Sequence, residues 1–303
     1  MSENIIEINN LSKSFGEVQA VKNLSFKVKK GELFSFLGVN GAGKSTTISI
    51  ICGTLLKDSG SVFIDGKNID TDLDKIKSQI GVVFQNSLLD KPLTVKENIK
   101  NKASLYGIDG QAFEVRYQEL SNMFDLAEIS NRAVGKLSGG QRRRVDIARA
   151  LVHSPKILIM DEPTTGLDPQ TRKALWQTIE KLRASTDLTV FLTTHYMEEA
   201  VDSNYVVILD KGSISACGTP IELKNKYAYD YITLYNTSEE QVKLLNLEYK
   251  KVNSAYRICV KDTKMAKQLI IENPDVFNDF EIVKGKMDDV FLAVTGLRLG
   301  EEN

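Results

Sequence analysis

Residues 38–45 read Gly-Val-Asn-Gly-Ala-Gly-Lys-Ser, a complete G-x-x-x-x-G-K-[ST] pattern whose spacing is set by the shape of a nucleotide's phosphate chain. Successive backbone N–H groups must turn inward onto phosphate oxygens, and Gly38, Gly41 and Gly43 allow this with no Cβ in the way. Asn40 and Ala42 complete the cradle between them. Lys44 brings a point charge to the β- and γ-phosphates, the Ser45 hydroxyl can ligate Mg²⁺, and Thr46 follows in a helix whose N-terminus adds partial positive charge. An apolar run at 33–37 leads in as a strand, and 46–56 reads as the exit helix.

A second set of reactive groups ends the apolar run 157–160, where Asp161 and Glu162 emerge before Pro163. Open α/β sheets place ligands at the carboxyl ends of such strands. Asp161 is suited to hold Mg²⁺ through water, and Glu162 to orient and deprotonate an attacking water. Pro163 biases Glu162 toward an extended backbone that aims its side chain forward. Farther back in the chain, Leu137-Ser138-Gly139-Gly140-Gln141 opens a helix with an apolar stripe through Val145, Ala148, Leu151 and Val152. The Ser138 hydroxyl and the glycine N–H groups make another anion site, and Ser138 also reads as an N-cap.

With this pentapeptide the sequence resembles the ATP-binding cassette (ABC) family, whose signature it matches. The resemblance covers about the first 218 residues. It implies that Ser138, Gly139, Gly140 and Gln141 meet the nucleotide of the opposite subunit, so that two chains sandwich two ATP molecules. It implies further that Phe15 stacks on adenine, and that Gln85 contacts Mg²⁺ or the attacking water and senses a transmembrane partner. Asp168 couples the two sites across the dimer, and His195 contacts the γ-phosphate while holding Glu162 and water in line. Asp168 before Pro169 is also a good N-cap. The expected catalytic set is therefore Glu162, His195, Gln85 and Lys44, with Ser45, Gln85 and Asp161 around the metal. Residues 141–153, 193–200 and 287–296 look like those of drug-resistance exporter ATPases of the daunorubicin type.

Positioning these groups requires a sheet. Apolar runs at 5–8, 21–28, 33–37, 61–64, 80–84, 157–160, 188–193 and 205–209 alternate with helical patterns, which reads as mixed α/β with a largely parallel, doubly covered sheet. Between 94 and 152 helical spacing takes over, as at Phe113, Tyr117, Leu120 and Phe124. The expected fold is a P-loop NTPase of the ABC ATPase type: a RecA-like core sheet, an inserted helical subdomain at about 88–153, and a small C-terminal α+β domain. The first domain would span 1–218. The second, 219–303, follows a strand-helix-strand-strand-helix-strand order that resembles a ferredoxin-like unit. Residues 300–303 read as frayed.

Composition narrows the classes. With 39 basic and 40 acidic residues among 303, the net charge of −1 gives no nucleic-acid footprint. The Arg142-Arg143-Arg144 run reads as a solvated helix face, with Arg142 or a neighbour available to position the signature loop. Cys52, Cys217 and Cys259 lack metal-ligand spacing and read as reduced packing residues, and His153 as structural. Residues 1–10 lack the basic and apolar regions of a signal peptide, so none is expected, and no segment approaches 18 consecutive apolar residues. The expectation is a cytoplasmic ATPase subunit, homodimeric around Mg²⁺ and ATP. It would sit on the inner face of the membrane through a multi-spanning permease and act in export; residues 86–106 with Leu88, Leu89, Leu93 and Val95 read either as the permease contact or, equally, as core of the helical subdomain. A soluble ABC-class protein in translation or DNA repair is disfavoured by a single phosphate loop without a long coiled-coil insertion. A non-hydrolysing switch is disfavoured by intact Glu162 and His195.

Overall fold

The computed structural model describes residues 3–296, so the expected fraying at 300–303 lies outside the described residues. From the N-terminus run β1 (Asn4–Phe15), β2 (Val18–Lys29), β3 (Leu33–Leu37), α1 (Lys44–Ile51), β4 (Ser59–Ile64), β5 (Lys67–Asn68), α2 (Leu73–Lys77) and β6 (Ile80–Val83). A helical stretch follows, α3 (Val95–Ser104), α4 (Gly110–Phe124) and α5 (Gly139–Leu151). Next come β7 (Ile157–Asp161), α6 (Pro169–Ser185), β8 (Thr189–Thr194), a 3₁₀ turn at Met197–Ala200, β9 (Tyr205–Asp210) and β10 (Ser213–Gly218). The remainder is α7 (Pro220–Tyr227), β11 (Asp230–Leu234), α8 (Glu239–Lys243), β12 (Tyr249–Val252), β13 (Ala255–Val260), α9 (Thr263–Glu272), β14 (Phe280–Val283) and α10 (Met287–Thr295).

The chain divides into two compact units, Met1–His195 with Ser203–Ile214, and Tyr196–Asp202 with Ser215–Asn303. This differs from a division at 218/219: the turn just after His195 belongs with the second unit. In the first unit, five strands in the order β9-β3-β8-β7-β6 form the central sheet, with every neighbouring pair parallel. Every residue of β3, β7 and β8 is buried, as expected of a sheet covered on both faces. Phe34, Phe36, Ile157, Ile159 and Phe191 share one core with α1 residues Ile48 and Ile51. Leu33, Leu158, Met160, Val190 and Leu192 share another with Leu175 and Ile179 of α6 and the apolar residues of α3, α4 and α5.

The apolar runs at 5–8, 21–28 and 61–64 do not join this sheet. They form a separate antiparallel sheet in the order β2-β1-β4-β5, which corrects the reading of one largely parallel sheet. Only Gly16 and Glu17 separate β1 from β2, a connection too short for a parallel crossover, and Gly16 takes the φ of 59° that the turn needs.

The second unit has the β-α-β-β-α-β order with strands arranged β12-β13-β11-β14, all antiparallel, the ferredoxin-like pattern. Ile232, Leu234, Ile258 and Val260 pack under Val242 of α8 and Ala266 of α9.

Candidate functional site

Register in the central sheet brings the reactive segments together. Leu37 pairs with Thr194, Asp161 with Thr193, and Val83 with Met160, so β3, β8, β7 and β6 end side by side. The segment after each end carries, in turn, the phosphate loop, His195, Glu162 and Gln85. Four stretches distant in sequence are delivered to one edge by parallel pairing alone.

At the loop, Gly43 has φ 101° and an added Cβ would lie 2.5 Å from the Ala20 carbonyl of β2. Gly38 is needed for a different reason: a Cβ there would come within 2.9 Å of the Leu209 carbonyl. Ala42 is buried, Asn40, Gly41 and Ser45 are exposed, and Thr46 is half-buried at the mouth. The exit helix α1 begins at Lys44 and ends at Ile51, shorter than the expected 46–56, because Gly53 at φ 65° supplies a left-handed stop. Lys44 is 5% exposed, and its ammonium donates to Gly38 O at 2.7 Å and Val39 O at 3.1 Å. Burial pushes the Lys44 pKa down, against the opposing pull of Glu162 and Asp161.

Glu162 gathers the rest. Its Oε1 stands 3.7 Å from the Lys44 ammonium. Its Oε2 accepts from Gln85 Nε2 at 3.1 Å and from Thr165 Oγ1 at 3.4 Å, and His195 Nδ1 lies 3.3 Å away. The backbone of Glu162 is left-handed, φ 46°, so the extended conformation expected from Pro163 is corrected. Its N–H donates to Thr193 O at 3.0 Å, and its own carbonyl accepts from Arg143 at 3.0 Å. These contacts turn the carboxylate back over the lysine. Asp161 is held by the Thr193 hydroxyl and accepts from Ser45 Oγ at 3.4 Å. One hydroxyl and one carboxylate suit a hard cation such as Mg²⁺, which keeps several waters and shares substrate oxygens. No group of three or more His, Cys, Asp or Glu poised for a metal occurs among the described residues. Gln85, expected near the metal, has its amide nitrogen on Glu162.

The signature residues lie elsewhere on the same unit. Ser138 and Gln141 form a reciprocal capping box at the start of α5, 3.2 and 3.1 Å. A Cβ on Gly140 would come within 2.6 Å of Thr171 Cγ2, so Gly140 lets α5 approach α6. Gly139 faces open space. Asp168 caps α6, accepting from Thr171 N at 3.0 Å and from its hydroxyl. Those two bonds hold the Asp168 carboxyl below its usual range. Phe15 ends β1 with its ring 51% exposed and the Lys13 ammonium 5.7 Å from its centroid.

Several residues depart from expectation. Arg143 is 7% exposed with every guanidinium nitrogen bonded to a carbonyl, so it is no solvated face. Its distances of four and seven to the buried Ile147 and Ala150 were the available signal. Arg142 donates to Leu137 O at 3.3 Å, steadying the signature loop. Cys52 is buried and pushed up to about 12, but Cys217 and Cys259 are exposed and do not serve as packing residues. His153 stacks on Tyr106 at 3.9 Å and bonds the Ile80 carbonyl. Leu89 and Val95 belong to the core, and Leu88 is left 58% exposed.

Comparison with known proteins adds three kinds of likeness. A family model described as ABC transporter matches residues 21–165. The chain is 39% identical over 229 residues to the linearmycin resistance ATP-binding protein LnrL of Bacillus subtilis (strain 168), covering 75% of this chain and 73% of that one. It is 32% identical over 304 residues to the daunorubicin resistance ATP-binding protein DrrA2 of Streptomyces coeruleorubidus, covering 95% and 94%. Among solved structures, it superposes on a dimeric ATP-binding cassette in a post-hydrolysis state bound to ADP and Pi. The TM-score is 0.65 at 32% identity, over 71% of this chain and 98% of that one. For cbiO1 of Clostridium perfringens, part of an ABC transporter complex, the values are 0.68 and 27%, over 75% and 93%.

Proposed function

The chain belongs to the ABC transporter family as an ATP-binding, ATP-hydrolysing subunit, and from that premise we propose that two identical copies close around two Mg·ATP and drive a separate multi-spanning permease. The cargo class is a drug, a lipid or another small molecule moved outward. The resistance functions named for the two relatives support export, and the likeness to the daunorubicin protein runs through the C-terminal unit as well. No helix among the described residues is long and apolar enough to cross a membrane; in this reading the permease holds the protein at the inner face. Leu88 and Leu105, 58% and 76% exposed at either end of the segment before α4, are the apolar side chains offered to it.

The reaction follows from the residues already in place. Lys44 and the loop amides receive the β- and γ-phosphates, with Phe15 under the base. Ser45 and Asp161, with Gln85 beside them, would hold Mg²⁺, which supplies charge neutralisation to the phosphate oxygens when bound. Glu162 accepts the proton of the attacking water, and Gln85 and His195 fix the oxygen that does so. Ser138, Gly139, Gly140 and Gln141 of the second copy close over the γ-phosphate with the positive end of α5, and Asp168 joins the two sites.

The observation that carries this reading is the convergence of Lys44, Gln85 and His195 on one carboxylate. Replacing Glu162 by Gln keeps the shape and removes the base. Turnover should drop by about 10²- to 10⁴-fold while ATP-dependent dimerisation persists. Wild-type turnover in Glu162→Gln would refute the assignment.

A further inference from the structure

The middle arginine of the 142–144 run lies buried beside the loops that carry Glu162 and Gln85. A guanidinium buried to 7% exposure is tolerated only when its donors are met. Nε of Arg143 donates to Pro163 O at 2.5 Å, Nη1 to Phe84 O at 2.6 Å, and Nη2 to Glu162 O at 3.0 Å and Asp161 O at 3.4 Å. Three of these carbonyls are consecutive and span the left-handed turn at Glu162. The fourth immediately precedes Gln85. The fork therefore fixes the backbone on both sides of the 3.1 Å contact between Gln85 and the Glu162 carboxylate.

One turn farther along α5, Asp146 is equally buried, and its Oδ1 accepts from Ser87 Oγ at 3.0 Å. Phe84 and Ser87 flank Gln85 and Asn86, so both ends of that short loop are tied to one helix through side chains three residues apart. Burial pushes the Asp146 carboxyl up, while the Ser87 hydroxyl and the charge of Arg143 pull it back.

We infer that Arg143, seconded by Asp146 and Ser87, is a positioning residue for hydrolysis: from the helix that carries Ser138 at its tip it sets the backbone that aims Glu162 and Gln85 at the attacking water. This rests on Glu162 acting as the base. Lysine cannot substitute, because a single ammonium on a flexible stem does not reproduce a planar fork to four carbonyls.

The test uses the full-length protein with Arg143→Lys and Ser87→Ala, each made alone and in the Glu162→Gln background. In the first setting, Arg143→Lys should lower kcat by about 10- to 100-fold, with the KM for ATP within about twofold since the Lys44 loop is untouched, and with a lower thermal midpoint from the carbonyls left without donors, so kcat is read well below that midpoint. Ser87 is at the surface, and its replacement should lower kcat several-fold at unchanged KM. In the Glu162→Gln background both changes should cost little more, because they act through the residue already removed. Wild-type kcat in Arg143→Lys, a loss that parallels weaker ATP binding, or full additivity with Glu162→Gln would each overturn the inference. Should Arg143→Lys not fold, Ser87→Ala decides: reduced kcat at constant KM supports it, and unchanged kcat overturns it. If Glu162→Gln alone kept full turnover, the base assignment would fall independently of the arginine result.

Discussion

Glu162 occupies a left-handed backbone conformation that costs a non-glycine residue about 1–2 kcal/mol, and it is held there by the Thr193 carbonyl on one side and the Arg143 fork on the other. The strain is thus maintained by groups that have no part in binding the phosphates, as expected where side-chain aim matters more than stability. His153 shows the opposite case, a titratable group whose environment bears on folding. Burial, with Lys102 and Arg116 nearby, pushes its pKa from 6.5 down to about 4, against the pull of the Ile80 carbonyl. The unfolded chain takes a proton below pH 6.5 that the folded chain takes only near pH 4. The stability present above pH 6.5 is therefore lost as pH falls through that window. Each unit is worth about 1.4 kcal/mol, and partial solvent access trims the total to about 1–2 kcal/mol. His153→Phe keeps a ring against Tyr106 and cannot titrate. Relative to wild type it should gain about 1 kcal/mol between pH 7.5 and pH 5 in denaturant unfolding, and a constant difference would exclude the argument.

At the scale of elements, the N-terminus of α5 has two roles that one substitution pattern separates. Ser138 caps the helix through Gln141 N, and its hydroxyl is the group proposed to meet the partner's nucleotide. Ser138→Ala should lower stability by about 1 kcal/mol. Ser138→Asp restores an equally good cap but places an anion against a phosphate, so it should unfold like wild type and yet abolish ATP-driven dimerisation of the Glu162→Gln protein. Retained dimerisation in the aspartate variant would remove Ser138 from the nucleotide interface. These helix and strand ends were legible in the sequence because they carry their own chemistry: glycines at fixed offsets, two acids after an apolar run, a serine before two glycines. What escaped was anything set by pairing partners. An apolar run of four to eight residues does not encode which strand it joins, so 5–8, 21–28 and 61–64 were given to the wrong sheet. Three consecutive arginines look alike until helical phase is counted, and only then does Arg143 fall on the buried face with Ile147 and Ala150. The backbone of Glu162 was misjudged because proline's local bias is weaker than four tertiary hydrogen bonds around the turn.

At the scale of the whole molecule, the second unit reaches back into the sequence of the first. The turn Met197–Ala200 begins two residues after His195, and contact places it with the C-terminal residues, where it packs on α10. Met197 and Ala200 are 2% and 0% exposed, as are Val290 and Phe291 of α10 at 0%. A chain ending at Gly218 keeps every residue assigned to the phosphates and the water, yet it uncovers Met197 and Ala200. Exposing a buried methionine side chain alone costs about 1.5–3 kcal/mol, equivalent to about 3–12 °C for a unit of this size. The truncated protein should therefore unfold earlier by at least that margin. Its turnover should fall as well, because the segment that loosens is continuous with His195, whose Nδ1 stands 3.3 Å from Glu162. Phe291→Ser in the intact chain should reproduce both effects in milder form, since it weakens the same packing without shortening the protein. Calorimetry and steady-state ATPase assays on the two variants decide the matter: a truncated chain with the wild-type midpoint and full turnover would mean that the C-terminal unit contributes nothing to the site it adjoins in sequence.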